Sequence, residues 1–197
     1  MKEIIMATNN AHKLREIRQI LGDEFLVRSL SDIGCTEDIE ETADSLEGNA
    51  LLKARYIAEH YGVDCFADDT GLMVDALDGA PGVYTARFGA MNGYGDSHDT
   101  SANIRCLLDR LDGVALRSAH FKTVIALVEG GREHVFEGRV DGRIVTSLRG
   151  SDGFGYDPVF EVEDSGLTFA EMGAEQKNLV SHRARATRRL VEFLKGM

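Results

Sequence analysis

The segment Cys65–Leu72 constrains the fold more than any other part of the chain, because an apolar run ends there in two carboxylates, a hydroxyl and a glycine. Residues 63–67 are predicted to form a buried strand, since Gly62 closes a helix-like stretch just ahead of them. Ligands collect at the carboxyl ends of strands in open α/β sheets. Asp68 and Asp69 at such an end could hold a hard cation or take a proton from water. An isolated pair of aspartates more often forms a capped turn, so this interpretation depends on the rest of the chain.

The composition is that of an ordinary globular domain. The 197 residues are 43% apolar and 28% charged, and a chain of this length can bury a sizeable core, so one domain is predicted over residues 1–197. No run approaches the roughly 20 apolar residues of a membrane helix. The first residues lack the pattern of a secretory signal. We therefore expect a cytoplasmic protein with no membrane partner.

The net charge of −11 argues against broad affinity for nucleic acid, which needs an extended basic surface. A small phosphate ligand is compatible with this charge, because the local placement of cations matters more than the total. Residues 177–195 contain six Lys or Arg residues and Glu192 as their only acid, which indicates either a solvated helix face or a local anion site. The three cysteines have no CxxC spacing and are predicted to be buried thiols rather than zinc ligands.

Apolar periodicity and turn-forming residues predict alternating strands and helices. Strands are predicted at 3–7, 25–30, 119–128, 133–140 and 144–147, and helices at 11–21, 45–61, 101–111, 175–180 and 181–194. Residues 72–77 are expected to continue the sheet, and Gly130-Gly131 is expected to form a hairpin turn. Residues 91–99, with two Gly and two Asp, have the composition of a mobile loop.

The turn Thr8-Asn9-Asn10 separates the first strand from the first helix and offers that helix an N-cap. This arrangement places backbone N–H groups and a helix N-terminus at the rim of the sheet, where they can bind an anion. Lys13 lies in the first helical turn, where a cation is unfavourable unless something negative lies opposite it. The turn lacks the GxxxxGK[ST] pattern of a Walker nucleotide site.

Residues 150–158 combine three glycines, two aromatic rings and two acids. A flexible backbone that carries aromatic rings suits stacking on a planar base. A surface loop anchored by one aromatic side chain explains the same composition equally well.

Six groups of residues fit one pattern in order and spacing: Thr8-x-Asn10-x-x-Lys13, Glu40-Glu41-Thr42, residues 67–72, residues 79–87, residues 154–158, and Lys177 with Ser181-His182-Arg183. Together they resemble the inosine/xanthosine triphosphate pyrophosphatases over residues 4 to about 190. Two departures are visible. Asn9 stands where the family often has Gly, and Thr70 stands where it often has Ser. Asn tolerates left-handed dihedrals, and Thr keeps the hydroxyl.

The resemblance implies an α/β fold with a long mixed β-sheet flanked by helices, in two lobes with a central cleft. It also implies a homodimer. The implied reaction is hydrolysis of an aberrant purine nucleoside triphosphate, such as ITP, dITP or XTP, between the α and β phosphates with Mg²⁺. The products are the monophosphate and pyrophosphate.

The resemblance also assigns the site residues. Glu41 and Asp69 are the expected Mg²⁺ ligands, with Glu40 as the alternative to Glu41. Asp69 is also the expected general base for the attacking water, and Asp68 would hold the metal–water network. The substrate-binding residues are expected to be Thr8, Asn9, Asn10, Ala11, His12, Lys13, Lys53, Thr70, Phe154, Gly155, Tyr156, Asp157, Lys177, His182 and Arg183.

Within this set, Lys13, Lys53 and Lys177 are expected to supply positive charge to the triphosphate. Four residues are expected to select the base: Phe154, Asp157, His182 and Arg183. A 6-oxo purine presents an acceptor at position 6 and a donor at N1, and adenine reverses both, so matched groups would reject ATP. Rejection of GTP must act at its 2-amino group.

Two other functions fit parts of the same pattern. A phosphatase would release the terminal phosphate instead of pyrophosphate. A nucleotide sensor would keep the pocket without turnover, although a pure binder has no need of water-activating carboxylates such as Asp68 and Asp69.

Overall fold

The structure, a computed structural model, describes residues 2–196 and contains a mixed β-sheet flanked by helices. The strands are β1 (Lys2–Met6), β2 (Phe25–Arg28), β3 (Cys65–Val74), β4 (Pro81–Gly82), β5 (Ser118–Glu129), β6 (Arg132–Ile144) and β7 (Phe160–Val162). The helices are α1 (Ala11–Leu21), α2 (Leu46–Tyr61), α3 (Phe88–Met91), α4 (Thr100–Arg110), α5 (Ala174–Val180) and α6 (His182–Gly196). Short 3₁₀ turns lie between several of these elements.

The seven-stranded sheet has the order β2-β1-β3-β5-β6-β7, with β4 paired to β3. β1 runs parallel to both β2 and β3, whereas β3 with β4 and β6 with β7 are antiparallel pairs. The predicted fold class, an α/β fold with a long mixed sheet, is therefore confirmed. Gly130 and Gly131 join β5 to β6 with φ of 54° and 74°, the left-handed values that a tight hairpin turn requires.

The chain divides into two compact units, and each has its own core. The first contains the residues up to Thr70, then Thr123–Gly138 and the residues from Ser181 onward; the second contains Gly71–Lys122 and Arg139–Val180. Strands β3, β5 and β6 contribute residues to both. The single domain predicted for residues 1–197 and the central cleft stay predictions.

The core of the first unit is formed by apolar side chains of β1, α1, β2, β3, β5 and α6. Its members include Ile4, Ile17, Phe66, Ile125 and Leu190, all at most 5% exposed. Helices α1 and α6 also pack against each other. Their packing brings the turn Thr8-Asn9-Asn10, which precedes α1, and the basic start of α6 into the same unit.

The core of the second unit is built around aromatic rings. Phe121 and Phe160 meet edge to face at 4.8 Å between ring centroids, and Phe160 stacks on Phe169 at 5.4 Å. Apolar residues of β3, α4 and β6 surround them, including Leu72 and Leu107.

Helix boundaries in the first unit follow the capping residues. The side chain of Asn10 accepts from the backbone N–H groups of α1, and Ser45 caps α2 in the same way. Gly22 and Gly62 follow the two helices with positive φ. The sequence predicted both helices to within one residue because these caps are local signals.

Three predicted elements differ from the structure. β3 does not end before the acids: Asp68 and Asp69 lie within a ten-residue strand. The separate strand predicted at 144–147 is absent from the described residues, since β6 continues to Ile144, and the sequence missed β7. Segment 91–99 begins with the last residue of α3, and the loop after it makes backbone hydrogen bonds from Tyr94 to Gly89 and from His98 to Ala86; its mobility stays a prediction.

The predicted burial of the three thiols is confirmed, since Cys35, Cys65 and Cys106 are all free and buried. Burial raises the pKa of the Cys65 thiol to about 12. No helix within residues 2–196 is both long and apolar enough to cross a membrane.

One close approach in the first unit fixes how the start of α6 lies on β6. A Cβ atom on Gly138 would lie 2.0 Å from the carbonyl oxygen of His182 and 2.5 Å from the backbone nitrogen of Ala186. A larger residue at this position would therefore have to push the first turn of α6, and with it Arg183, away from the strand.

We expect Gly138→Ala to lower the free energy of unfolding by about 1–3 kcal/mol, because the added methyl group overpacks a backbone contact. Gly173→Ala is the matched control, since a Cβ atom there meets nothing within 4 Å. The control should stay within about 0.5 kcal/mol of wild type. Urea unfolding of the three proteins measures this, and equal stability of both variants would contradict the proposed contact.

Candidate active site

Asp68 and Asp69 are consecutive residues of β3, so their side chains leave opposite faces of the strand. Asp68 contacts side chains of α1 and α6, whereas Asp69 contacts side chains of α2. Both are buried, with 1% and 6% exposure. The direct side-chain contacts of the two neighbouring carboxylates therefore differ, although the charges of Lys13 and Lys53 act on both.

Asp68 lies in a cluster of buried cations. Lys13 Nζ approaches its Oδ1 at 3.2 Å, and Arg183 Nε donates to its Oδ2 at 3.0 Å. Burial opposes the negative charge, but Lys13, Arg183 and Lys53 outweigh it and hold the pKa of Asp68 well below its usual range. Burial also lowers the pKa of Lys13, against the attraction of Asp68. Asp68 is therefore a fixed negative charge.

Arg183 is 1% exposed, and protein groups surround its guanidinium. Besides Asp68, it donates to Glu16 through Nη1 and to Thr70 Oγ1 through Nη2, the latter at 3.1 Å. Thr70 Oγ1 in turn lies 2.7 Å from the hydroxyl of Thr123. These contacts connect Arg183 to α1, β3 and β5 within the first unit.

Lys53 connects the second acid to the loop before α2. Its Nζ lies 2.6 Å from Glu41 Oε1 and 3.8 Å from Asp69 Oδ1, and it donates to the backbone oxygen of Asp68 at 2.9 Å. Burial disfavours the ammonium, but Asp69 and Glu41 outweigh burial and raise the pKa of Lys53. Glu40, the alternative to Glu41, is exposed.

Asp69 differs from its neighbour in its electrostatics. Burial raises its pKa, and the charges of Glu41 and Asp68 add to the rise, while Lys53 and Lys13 oppose it. A pKa moved toward neutrality makes this carboxylate a better proton acceptor near neutral pH than an exposed aspartate.

The donor set around Asp69 fits a hard cation only together with other oxygen ligands. Within residues 2–196 there is no group of three or more His, Cys, Asp or Glu side chains that could hold a metal ion alone. Mg²⁺ in phosphate-handling sites typically takes one or two carboxylates and completes its shell with water and substrate oxygens. Glu41 and Asp69, both near Lys53, match that pattern.

The turn before α1 satisfies several of its own donors. Asn10 Oδ1 accepts from the N–H groups of His12 at 3.0 Å and Lys13 at 3.1 Å, and Thr8 Oγ1 accepts from Asn10 N–H at 3.1 Å. Asn9 donates to the backbone oxygen of Glu37 at 3.2 Å. Ala11 is exposed at the helix start. Side chains thus take up three of the backbone donors predicted to bind an anion, and the anion site stays a prediction.

A second cluster lies in the second unit. Asp157 Oδ2 accepts from Lys177 Nζ at 2.6 Å and from the backbone N–H of Phe154 at 2.8 Å. The Lys177 ammonium also lies 4.9 Å from the centroid of the Phe154 ring and 5.3 Å from that of Phe169. A Cβ atom on Gly153 would lie 2.0 Å from the Asp157 carboxylate, so the glycine is required for this turn.

The remaining predicted residues take their places around these clusters. Tyr156 is 3% exposed and donates through its hydroxyl to the backbone oxygen of Thr85 at 2.9 Å, next to the half-buried Gly155. His182 is buried at the start of α6. The predicted site residues therefore form two groups, with Phe154, Gly155, Tyr156, Asp157 and Lys177 in the second unit and all others in the first.

Sequence reasoning missed Asn49 and Glu16. Asn49 is fully buried and donates to Asp69 Oδ2 at 3.3 Å. The available signal was its spacing, since Asn49 and Lys53 are four residues apart and share one face of α2. Glu16, the partner of Arg183, had no comparable signal because the two are far apart in sequence.

Comparison with known proteins finds relatives over nearly the whole length of this chain. The model of the Ham1 family matches residues 4–193. The chain is 53% identical over 195 residues to the dITP/XTP pyrophosphatase of Porphyromonas gingivalis, covering 98% of each protein. It is 47% identical over 194 residues to that of Flavobacterium psychrophilum, covering 98% of this chain and 100% of the relative. The solved Ham1 protein of Staphylococcus aureus superimposes with a TM-score of 0.87 at 38% identity, covering 99% of each chain.

We expect Asp68→Asn to lower the free energy of unfolding by about 3–5 kcal/mol at pH 7, because it removes the carboxylate that pairs with both buried cations, Lys13 and Arg183, and leaves Glu16 to pair with Arg183 alone. The folded-state pKa of Asp68 is depressed, so its contribution is full above the unfolded-state value of about 3.9 and is lost as pH falls below that value. The difference from wild type should therefore shrink at pH 3.

Urea unfolding at pH 7 and pH 3 measures this effect. The exposed Asp23→Asn, in the same unit, is the control and should stay within about 0.5 kcal/mol of wild type at both pH values. A difference between Asp68→Asn and wild type that is unchanged from pH 7 to pH 3 would show that Asp68 is not the ionised centre of the cluster.

Proposed function

This chain belongs to the Ham1 family, and on that premise we propose that it hydrolyses aberrant purine nucleoside triphosphates such as ITP, dITP and XTP to the monophosphate and pyrophosphate. It is a nucleoside triphosphate pyrophosphatase, a hydrolase acting on a phosphoric anhydride. The resemblance seen in the sequence is confirmed by the family match and by full-length relatives that carry this activity in their names.

The observation that most supports the mechanism is the contrast between the two acids of β3. The pKa of Asp68 is depressed and that of Asp69 is raised, although they are adjacent in sequence. Neighbouring groups whose environments push their pKa values apart are typical of acid–base sites. We assign Asp69 as the general base that orients or deprotonates the attacking water.

The triphosphate carries about four negative charges, and we assign its binding to Lys13 and Lys53 in the first unit. The expected role of Lys177 at the triphosphate stays a prediction. Lys13 and Lys53 both direct their ammonium groups at the backbone oxygen of Asp68, at 3.4 and 2.9 Å. The two ammonium groups therefore lie close together and near Asp69, the next residue along β3. Thr8 and Asn10 shape the turn that leads to Lys13, and Thr70 lies directly after the acids.

We propose that Mg²⁺ is held by Glu41 and Asp69. When bound, it would lower the pKa of its water and neutralise charge on the phosphates. Lys53, which contacts Glu41 and lies near Asp69, offsets part of the repulsion between the two carboxylates. The sequence-based role of Asp68 in the metal–water network stays a prediction. Its contacts favour a different role, that of fixing Lys13 and Arg183.

Recognition of the base is assigned to the second unit. Lys177 can only donate and an ionised Asp157 can only accept, which is the complement of a 6-oxo purine with its acceptor at position 6 and its donor at N1. Adenine presents the reverse pattern and would place a donor against Lys177 and an acceptor against Asp157, a mismatch that costs about 1–3 kcal/mol per group. Phe154, half-buried beside them, offers a ring for stacking.

Two residues assigned to base selection lie in the first unit. His182 is buried, and the guanidinium of Arg183 donates to Asp68 and Thr70. Their roles at the base stay predictions. The contacts of Arg183 favour an indirect role, in which it holds Asp68 in place.

We also propose that the protein acts in the cytoplasm as a homodimer, as the sequence resemblance implies. Light scattering coupled to size-exclusion chromatography tests the assembly. A mass near twice the 21.6 kDa of one chain supports it, and a mass of one chain contradicts it.

The rival activities are separated by their products. Incubation with ITP, XTP, dITP, ATP and GTP plus Mg²⁺ should give pyrophosphate from the first three and little turnover of the last two. Orthophosphate as the first product would identify a phosphatase, and tight binding without turnover would identify a sensor.

We expect Asp69→Asn to lower kcat for ITP by about 100-fold or more, because the amide cannot accept a proton from water. Circular dichroism should show an unchanged fold, since the amide keeps the shape of the side chain. Exposed Asp23→Asn serves as the control and should retain wild-type kcat. Near-normal turnover by Asp69→Asn would remove Asp69 from its role.

We expect Phe154→Leu to raise KM for ITP about tenfold while kcat changes less than about threefold, because base stacking contributes about 1–3 kcal/mol to binding. Phe193→Leu is the matched control, since Phe193 is a partly buried phenylalanine that packs on the first core. Steady-state kinetics with ITP measures both variants. A KM for Phe154→Leu equal to that of the control would exclude stacking on this ring.

A further inference from the structure

Asn49 is a fully buried polar side chain in the first turns of α2, and both ends of its amide have partners. Its Oδ1 accepts from the backbone N–H of Ala43 at 2.9 Å. Its Nδ2 donates to Asp69 Oδ2 at 3.3 Å. The amide therefore connects the loop before α2 to a carboxylate of β3, all within the first unit.

The orientation of this amide follows from its partners. The backbone N–H of Ala43 can only donate, so the atom facing it must be the oxygen. The NH₂ group then faces Asp69, where it can only donate. Asn49 thereby holds Oδ2 of Asp69. The other carboxylate oxygen, Oδ1, lies 3.8 Å from Lys53 Nζ.

A second observation shows that the loop lies directly on α2. A Cβ atom on Gly48 would lie 2.7 Å from the Cβ atom of Ala43 and 2.9 Å from Ser45 Oγ. Only a residue without a side chain lets Ala43 approach the helix so closely. Ala43 is two residues after Glu41, so the position of Glu41 depends on this contact.

We propose that Asn49 is a positioning residue for the reaction. Its amide fixes the rotation of the Asp69 carboxylate and ties it to the segment that carries Glu41. This inference rests on the proposed function, in which Asp69 is the base and both carboxylates serve the metal. Misplacing a catalytic group by about 1 Å can cost about 100-fold in rate.

Asn103 provides a matched comparison for Asn49, because its contacts are those of a residue with a purely structural role. Asn103 is a buried asparagine of α4 whose Oδ1 accepts from the backbone N–H of Gly89 at 2.6 Å. Its Nδ2 donates to the backbone oxygen of Ala86 at 2.9 Å. Asn103 thus ties a backbone segment to a helix as Asn49 does, but without contact to a reacting group.

The test compares Asn49→Ala and Asn49→Leu with Asn103→Ala in the full-length protein, by steady-state kinetics with ITP and Mg²⁺. Both Asn49 variants should lose about tenfold to 100-fold in kcat with KM changed less than about threefold. Asn103→Ala should lose stability in urea but keep wild-type kcat. The leucine variant refills the volume, so it gives the answer if the alanine variant fails to fold.

Wild-type kcat in either folded Asn49 variant overturns the proposal, and so does an equal loss of kcat in Asn103→Ala. Crystal structures of wild type and Asn49→Leu provide a readout that does not depend on activity. The proposal expects the Asp69 carboxylate to rotate in the variant, and an unmoved carboxylate contradicts it. If wild type fails to hydrolyse ITP, the proposed function fails, and this structural comparison still decides the positioning role.

Discussion

The site in the first unit depends on the buried ion cluster of Asp68, Lys13 and Arg183. Replacing a buried ion pair by well-packed apolar residues is often neutral or stabilising. A contribution to stability therefore does not by itself explain why the protein has this cluster. Its distinctive effect is to hold an ammonium and a guanidinium inside the protein. Asp68 supplies the compensating charge, and Arg183 extends the cluster to Thr70 and Glu16.

The alternation of side chains along β3 gives the two acids their separate roles. A strand directs neighbouring residues to opposite faces, so Asp68 contacts the cations of α1 and α6 while Asp69 contacts α2. Burial acts on both carboxylates, but cations prevail at Asp68, whereas burial and nearby acids prevail at Asp69. The Asp-Asp pair thereby combines a carboxylate whose pKa is lowered with one whose pKa is raised, and the second is the proposed proton acceptor.

Much of this could be predicted from the sequence, because its signals are local. Caps at Asn10 and Ser45 gave the helix starts, and the motifs from Thr8 to Arg183 indicated the family, which the comparisons confirm. What failed was set by tertiary pairing: the acids lie inside a long strand rather than at its end, and β7 exists through its pairing with β6. The bond from Asn49 to Asp69 was missed because a buried asparagine on a helix has no motif.

The central claim is that water, activated beside Asp69, attacks the innermost phosphorus of an aberrant purine nucleotide. Hydrolysis of ITP in ¹⁸O-labelled water, followed by mass spectrometry of both products, tests it most directly. The account predicts one ¹⁸O atom in inosine monophosphate and unlabelled pyrophosphate. Label in the pyrophosphate, or release of labelled orthophosphate, would place the attack at another phosphorus and contradict the account.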